Sequence, residues 1–356
     1  DVSEDEFVRG TITSQPECWG TLKFNHKDIM VNEKVSAQSL LKLLPGRIEA
    51  FAENMKSMVN LMLLNGPSFA TFTGDGQAGG TAVVDRPERF SRGQKVYLYD
   101  SGTAAAAYYV IAVNINTKTV TFSSARGGGA ANISAYVVSQ GAVVYYDGAQ
   151  TAGNRFSSLK QSLLPASVTS GGVTGGSTLY GQTKVTYPIL QGIHSDGSGF
   201  DSANLLDGIF DAFTRTRIYG KGKPSKCLMS FRHLGAVMKL LESQKGSYHI
   251  DQKSTKVSPY GWTQISVFGV EGQLDLVALQ EMDNDFMVLL DPSAVKIYSN
   301  GGFRKRVGPD GLEFFTSRAT SGYSYLVDSC FFGDMVVEKP SQCGIISAIP
   351  SAVSSV

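Results

Sequence analysis

The sequence is poor in charged residues. They make up 18% of its 356 residues, and 32 Lys and Arg nearly balance 31 Asp and Glu. About 25% is typical of soluble domains, so we expect neighbouring subunits to cover part of this surface, although a β-rich domain full of Ser, Thr and Gly would have the same composition. The near-neutral balance argues against a protein whose whole surface binds a polyanion, while it allows local basic clusters.

Cysteine and long apolar runs are scarce as well. The four cysteines are widely scattered, with neither a C-x-x-C spacing nor a flanking histidine pair, so we predict neither a zinc site nor a disulfide framework and expect a reducing compartment. No run of about 18 apolar residues occurs, so we expect no membrane span. The first ten residues, DVSEDEFVRG, are acidic and lack the apolar core of a signal peptide. The cysteines are Cys18, Cys227, Cys330 and Cys343.

The chain begins with an expected arm and a long helix. Residues 1–37 contain few periodic apolar positions, which predicts an extended segment that stays disordered unless a partner surface orders it. A helix over 45–64 follows, because its apolar residues recur every three or four positions and form one stripe. Pro45 suits its first turn and Gly66 its end, and we interpret the Met-rich stripe as core or a groove filler and not as a cofactor site. The stripe contains Leu44, Ile48, Phe51, Met55, Met58 and Met62.

Residues 83–147 change in character and favour strands. Apolar and polar residues alternate around Tyr97 and again around Val113, and the turn at 116–119 predicts a β-hairpin. The segments 136–138 and 143–146 add further strands after a glycine-rich link. The simplest interpretation is a small antiparallel sheet or barrel inserted into the chain.

The most regular stretch, residues 187–246, is predicted as helix, strand and helix. One face of the first helix is apolar, and Asp201 or Ser202 can cap its start. Ser230 caps the second helix, and short strands follow Trp262. The fold class is therefore α+β, with segregated helices and antiparallel strands instead of regular βαβ alternation. The inward residues are Leu206, Ile209, Phe210 and Phe213 in the first helix and Leu234, Val237, Met238 and Leu241 in the second.

Two polar clusters could carry chemistry. The segment His194–Asp196, with Asp201 nearby, could form a metal or acid-base cluster, but its spacing fits no helix-face ligand pair, so a solvated loop is preferred. Glu281, Asp283 and Asp285 alternate but lack the Gly and distant Glu of a Ca²⁺ loop, which favours a charged turn between strands. No G-x-S-x-G elbow or phosphate loop occurs. We therefore predict no catalytic, cofactor-binding or metal-binding residue.

Two basic clusters are candidates for binding. Five Lys and Arg residues fall within 215–226 without an acidic neighbour, and a second group occupies 304–306. Either could contact nucleic-acid phosphates, although no aromatic platform supports sequence reading. They could equally pair with the segment 1–17, which holds five acids and one base; we favour contacts between subunits and keep solvated charge as the alternative. The candidates are Arg215, Arg217, Lys221, Lys223, Lys226, Arg304, Lys305 and Arg306.

Residues 185–350 form an ordered series of segments. A helix, a Pro-led strand and a second helix (LLDGIFDAFTRTR, PSKCLMS, HLGAVMKLLE) come first. A glycine-containing strand pair (VFGVEGQLDLVALQ) and an Asp-rich turn with its strand (EMDNDFMVLLDPSAVKIY) follow. A basic segment before PDG (GGFRKRVGPDG), an aromatic strand and the closing VVEKP complete the series. In the order and character of these segments, residues 185–350 resemble the major capsid proteins of tailed bacteriophages.

The resemblance implies a phage capsid fold, with an N-terminal arm, a long helix, apical and peripheral domains, an extended loop and a β-rich insertion. It implies a non-enzymatic protein that assembles through hexamers and pentamers into an icosahedral phage head enclosing double-stranded DNA, located in the virion after assembly in the host cytoplasm. The implied partners are other copies, non-specifically contacted DNA, and portal, scaffold and decoration proteins, with no membrane and no cofactor. The expected divisions are 1–37 for the arm, 38–82 for the long helix and a peripheral loop, 83–150 for the insertion, 151–184 for a linker with a short helix, 185–300 for the apical domain and 301–356 for peripheral strands and tail.

Three other functions remain open. An encapsulin-like nanocompartment would share the fold and enclose a cargo enzyme instead of a genome. A phage tail or tube protein would form rings or tubes. A hydrolase using His194 and the acidic loop is the enzymatic alternative, which would lose an activity but not assembly when His194 and Asp196 are replaced.

Overall fold

A computed structural model of the chain describes most of its residues in two compact units. The larger unit contains Met62–Lys296 and Met335–Val356, and the smaller contains Ser14–Leu61 and Ile297–Asp334. The described residues are 17–25, 37–66, 68–146, 156–170, 173–243, 265–269, 272–305, 315–319 and 322–350.

Four helices lie in the described part of the chain. None of them combines the length and apolar character needed to cross a membrane. They are α1 (Ala37–Asn65), α2 (Leu159–Leu163), α3 (Leu205–Gly220) and α4 (Phe231–Ser243).

The strands of the described segments belong to five sheets, two of which have only two strands each. In chain order they are β1 (Glu17–Asn25), β2 (Ser68–Thr71), β3 (Thr81–Val83), β4 (Lys95–Tyr99), β5 (Ala106–Asn114), β6 (Thr119–Ser123), β7 (Val143–Tyr146), β8 (Thr169–Ser170), β9 (Val173–Thr174), β10 (Thr178–Leu179), β11 (Gln182–Thr183), β12 (Ile193–Asp196), β13 (Lys226–Met229), β14 (Ile265–Gly269), β15 (Gly272–Ala278), β16 (Phe286–Leu290), β17 (Val295–Lys305), β18 (Phe315–Ala319), β19 (Gly322–Val337) and β20 (Gly344–Ser347).

The long helix α1 begins at Ala37, earlier than predicted, so Pro45 lies inside the helix and not in its first turn. The Ala, Gln, Leu and Lys residues before Pro45 are strong helix formers, and they extend the helix despite the hydrogen bond that proline removes. The helix ends where predicted, before Gly66, which has a φ of 110°. Met55 and Met62 are buried, which confirms that part of the Met-rich stripe belongs to a core.

Strands β2 to β7 form a closed antiparallel barrel. Their order is β2-β7-β4-β5-β6-β3, and a bridge between Phe72 and Val84 joins the two ends of the sheet. The Thr73 N–H also donates to the Val83 carbonyl oxygen at 2.8 Å. Closure leaves no free edge, and it confirms the predicted antiparallel sheet or barrel.

The interior of the barrel follows from the alternation along its strands. Val96, Leu98, Val110, Val120 and Phe122 are fully buried. The apolar half of each alternating pattern therefore points inward, as expected for a small barrel filled by side chains.

The barrel differs from its sequence prediction at two places. It begins at Ser68 and not near residue 83, because the four residues of β2 are too few to reveal an alternating pattern. The segment 136–138 is not a strand, since Tyr136 is buried in a loop and a 3-10 turn begins at Val138. The hairpin of β5 and β6 and the strand β7 are confirmed.

A mixed six-stranded sheet forms the centre of the larger unit, in the order β12-β20-β16-β13-β15-β14. The β12–β20 and β13–β15 pairs are parallel, so the predicted antiparallel arrangement is wrong for these two pairs. The other three pairs of the sheet are antiparallel, as predicted. In the chain, β14 lies between α4 and β15 and pairs antiparallel with β15. The chain therefore reverses once more between β14 and β15, and this reversal makes β15 parallel to β13.

Helices α3 and α4 pack on this sheet through one buried apolar cluster. Burying one large apolar side chain contributes about 1.5–3 kcal/mol, so the cluster fixes both helices firmly on the sheet. The predicted inward faces are confirmed except at Phe210, which is half-buried, and at Met238, which is 41% exposed; the side chain of Leu241 lies outside the described residues. The cluster includes Leu205, Leu206, Ile209, Phe213, Leu234, Val237, Met287, Leu289 and Ile346.

The two helix starts use different side chains. Asn204 occupies the N-cap position of α3 without a side-chain cap, so the predicted cap by Asp201 or Ser202 is wrong. The Asp201 carboxylate instead accepts the N–H groups of Ala203 and Asn204 at 2.8 and 2.9 Å and forms the turn before the helix. The predicted cap of α4 is confirmed, since the His233 N–H donates to Ser230 Oγ at 3.4 Å.

The sheet of the smaller unit contains a strand from the predicted arm. Strand β1 pairs antiparallel with β19 along its nine residues, from Glu17 opposite Phe332 to Asn25 opposite Ser324. Residues 17–25 are therefore ordered by their own chain and need no partner surface, contrary to the prediction. The rest of the predicted arm lies outside the described residues, apart from Ala37 at the start of α1.

Candidate assembly surface

The His194 segment is a strand and not the solvated loop predicted. His194 lies on β12 opposite Ile345, and its Nε2 is 2.8 Å from Ser347 Oγ. Burial lowers the pKa of His194, with Asp196 opposing that shift and Arg215 adding to it. Ser347 is only 1% exposed, so the histidine contacts a hydroxyl that a substrate cannot reach. No group of three or more His, Cys, Asp or Glu in the described part of the chain could hold a metal ion.

The acidic segment forms the predicted charged turn between β15 and β16. Asp283 Oδ1 lies 2.5 Å from Arg89 Nη2, and the Asp283 N–H donates to Asn65 Oδ1 at 3.0 Å. Burial opposes ionisation of Asp283, but Arg89, Lys160 and Arg86 outweigh it and hold its pKa below the usual value. These contacts tie the turn to the barrel segment that carries Arg86 and Arg89.

A second buried pair lies beside this turn. Lys160 on α2 is fully buried, and its Nζ is 2.6 Å from Asp285 Oδ2 and 4.7 Å from the centre of the Phe286 ring. Ser170 Oγ also donates to the Asp285 carboxylate. Asp283 and Asp285, two of the three acidic residues compared with a Ca²⁺ loop, are thus paired with cations of their own chain.

Two further buried polar groups, Lys184 and His233, differ in the number of hydrogen bonds that they make. The Lys184 ammonium donates to the carbonyl oxygens of Gln161, Ser162 and Leu164 at 2.8–2.9 Å, at the end of α2. His233 is fully buried on α4, and neither of its ring nitrogens has a hydrogen-bond partner. Burial lowers the pKa of His233 to about 4, so the ring is neutral near pH 7.

The first basic cluster gathers at the C-terminal end of α3. Arg215 is exposed, with Nη1 3.5 Å from Ser195 Oγ, and the Arg217 guanidinium lies 5.7 Å from the centre of the Phe213 ring. Lys221 ends the helix in the left-handed conformation with a φ of 53°. Lys223 follows on the connection to β13 and Lys226 is the first residue of that strand, and both are exposed.

The second basic cluster is only partly described. Arg304 is exposed on β17, and its carbonyl oxygen accepts from Ser329 Oγ at 3.5 Å. The side chain of Lys305 and the whole of Arg306 lie outside the described residues. The two clusters belong to different units, the first to the larger and Arg304 to the smaller.

Exposed apolar residues accompany the first cluster, and the sequence analysis missed them. Ile218 is 59% and Tyr219 is 71% exposed at the end of α3, and Ile189 is 60% exposed on a 3-10 turn at 188–190. Both α3 and this turn pack against the turn at 340–342. The sequence contains a signal for their exposure, because Ile218 and Tyr219 lie outside the helical stripe that includes Leu206 and Phe213.

Comparisons with known proteins give matches among solved structures alone. No protein-family model matches the chain, and no curated protein matches it. A chain of the cyanophage A-1(L) capsid asymmetric unit is 12% identical and aligns over 94% of this chain and 77% of its own length, with a TM-score of 0.44. A chain of the satellite phage P4 procapsid is 11% identical over 98% of this chain and 78% of its own length, with a TM-score of 0.38.

An encapsulin complex from Synechococcus elongatus PCC 7942 supplies a third match. It is 15% identical over 45% of this chain and 53% of the encapsulin chain, with a TM-score of 0.25. The matched structures are of the kind that the sequence resemblance named, namely phage capsid proteins and encapsulin shells. Because these TM-scores are below 0.5, the functional proposal rests on the residues and surfaces of this chain.

Proposed function

We propose that the chain is the structural subunit of a closed protein shell, the major capsid protein of a tailed phage. The observation that carries the proposal is the apolar and basic surface at the end of α3, where Ile218 and Tyr219 are mostly exposed. Monomeric proteins rarely expose large apolar patches, and apolar patches rimmed by polar residues mark sites of association. This surface lies on a packed layer of helix and sheet, so it can meet a neighbour with little rearrangement.

The polar groups inside the larger unit support a structural role. Asp283 and Asp285 pair with Arg89 and Lys160, and these pairs connect the barrel and α2 to the central sheet. His194 faces the buried hydroxyl of Ser347. A catalytic group needs access to its substrate and hydrogen-bond reach to the reacting atoms, and each of these groups is committed to contacts within the chain.

The finer features of the shell follow from the resemblance of residues 185–350. The central sheet with α3 and α4 would form the apical domain, and the smaller unit would belong to the peripheral domain. Copies would assemble through hexamers and pentamers into an icosahedral head that encloses double-stranded DNA. Such assembly needs several surfaces through which one copy meets its neighbours, and the exposed end of α3 is one such surface. Portal, scaffold and decoration proteins are the further partners that this role implies.

Electron microscopy and sedimentation of the purified protein test the proposal. We expect closed, roughly spherical particles, with nuclease-resistant DNA inside particles taken from infected cells. Closed particles that hold a cargo protein and no genome would identify an encapsulin-like nanocompartment instead. A monomer that persists under all assembly conditions, or open rings and tubes, would overturn the proposal.

A further inference from the structure

The outward side of α3 is a continuous exposed stripe. Buried residues of this helix face the central sheet, and the exposed ones recur at intervals of three and four on the opposite side. We call this stripe the α3 face. It contains Asp207, Asp211, Thr214, Arg215, Ile218 and Tyr219.

The two ends of the α3 face carry opposite charges. Asp207 and Asp211 lie in its first half, and Lys221 and Lys223 are exposed just beyond its end. No ion pair among the described residues involves any of these four side chains. The helix dipole favours acids at the start and bases at the end of a helix, which accounts for the order of the charges but not for the apolar residues between them.

Apolar side chains occupy the basic end of the same stripe. Ile218 and Tyr219 lie between Arg215 and Lys221, with more than half of each side chain exposed. Burying such side chains gains free energy that packing inside a single copy does not provide here. The stripe therefore has the composition of an interface, with an aromatic and an aliphatic anchor surrounded by charge.

We infer that the α3 face is a surface through which one copy meets a second copy of this chain, with the acidic half of one α3 against the basic end of the other. The inference rests on the proposed shell function and adds the surface and its orientation. The helix rises about 1.5 Å per residue, so Asp207 and Lys221 are about 21 Å apart. That length suits one side of an interface of about 800 Å² per partner, which Ile189 would extend.

Charge complementarity selects a second copy over other occupants. A nucleic acid or an anionic membrane would be attracted to Lys221 and Lys223 but repelled by Asp207 and Asp211 along the same stripe. A partner that satisfies the whole stripe must carry both signs in the reverse order. Another α3 provides that pattern when its ends are reversed.

Cysteine cross-linking tests the contact directly. The native cysteines Cys18, Cys227, Cys330 and Cys343 are all buried, so a cysteine placed on the surface is the reactive one. We would mix Asp207→Cys protein with Lys221→Cys protein, disassemble and reassemble them, and add a short thiol cross-linker. The expected result is a disassembly-resistant dimer from this mixture and none from Thr117→Cys mixed with Lys221→Cys, because Thr117 is exposed on a barrel turn.

Charge reversal gives an independent measurement. Lys221→Glu with Lys223→Glu should raise the protein concentration needed for assembly at least about tenfold, because like charges would then face each other. Adding Asp207→Lys and Asp211→Lys to the same chain should restore assembly. Arg92→Glu with Lys118→Glu is the matched control, since both residues are exposed on the barrel and the charge change is equal.

The outcomes separate this inference from the proposed function. The α3 contact would be overturned if the wild type forms particles, the Lys221→Glu, Lys223→Glu variant assembles equally well, and no specific cross-link appears. The proposed shell function would stand in that case. A wild type that never assembles, and shows no cross-link in solution, would overturn both. Loss of assembly in the reversed variant, with recovery in the quadruple variant, supports the contact, because a folding defect would not be rescued by more substitutions.

Discussion

The buried imidazole of His233 makes the fold sensitive to acid. Neither ring nitrogen has a partner within hydrogen-bond geometry among the described residues. Burial lowers the pKa of His233 from 6.5 to about 4, and the nearby Asp285 carboxylate and the Asn284 backbone oppose the shift without cancelling it. The unfolded chain therefore takes up this proton first. The stabilisation is complete above pH 6.5 and is lost as the pH falls towards 4.

The size of the effect follows from the two pKa values. Each tenfold change in proton affinity corresponds to about 1.4 kcal/mol, so protonation of His233 should remove about 3 kcal/mol of folding stability across that pH range. Replacement by Met, which has a similar volume and no ring nitrogen, abolishes this loss. It should also raise stability at pH 7 by about 1–3 kcal/mol, because no buried nitrogen is then left without a partner.

Urea unfolding of wild type and His233→Met at pH 7.0 and 4.5 measures both effects. The difference between the two proteins isolates His233, since every other titrating group is common to them. Lys239→Met is the matched control, because Lys239 is exposed on the same helix, and it should follow the wild type at both pH values. Equal pH dependence in His233→Met and wild type would refute the reasoning.

Two further predictions concern single contacts. Asp285→Ala should cost about 3–5 kcal/mol, because it leaves the buried Lys160 ammonium unpaired; adding Lys160→Met should recover part of that loss, and additive costs in a denaturant double-mutant cycle would contradict the pairing. Gly220→Ala should lower stability by about 1–3 kcal/mol in thermal unfolding, because the new methyl group would overlap the Ser341 carbonyl oxygen. Gly46→Ala meets nothing within 4 Å and should be neutral or stabilising, so equal losses at the two sites would exclude this explanation.

The elements that were predicted correctly from the sequence are those encoded by local patterns. The α3–β13–α4 series and the β5–β6 hairpin are encoded within short windows of apolar periodicity and turn residues, so one segment suffices to identify each. The charged turn before β16 is of the same kind. The basic cluster of α3 was also predicted from a short window of sequence. Its exposed neighbours Ile218 and Tyr219 were not predicted, because the apolar periodicity was used only to identify the buried face of the helix.

Pairing between distant segments could not be predicted in this way. The bridge of Phe72 to Val84 that closes the barrel, and the pairing of β1 with β19, leave no signature in either partner alone. The parallel β12–β20 pair joins residues near 194 with residues near 345. The apolar pattern of a strand indicates which of its faces is buried but not which strand pairs with it. The order of strands in the sheets was therefore not predictable from these patterns.

The two six-stranded sheets of the larger unit manage their edges differently, and the difference fits the proposed assembly. Unpaired strand edges favour association between copies, a hazard where many copies are concentrated in one shell. The barrel removes its edges by closure. Among the described strands, the central sheet ends at β12 and β14, and α3 packs beside β12, with Arg215 near Ser195. Contacts between copies would then be left to side chains of the α3 face, whose charges specify orientation in a way that backbone pairing cannot.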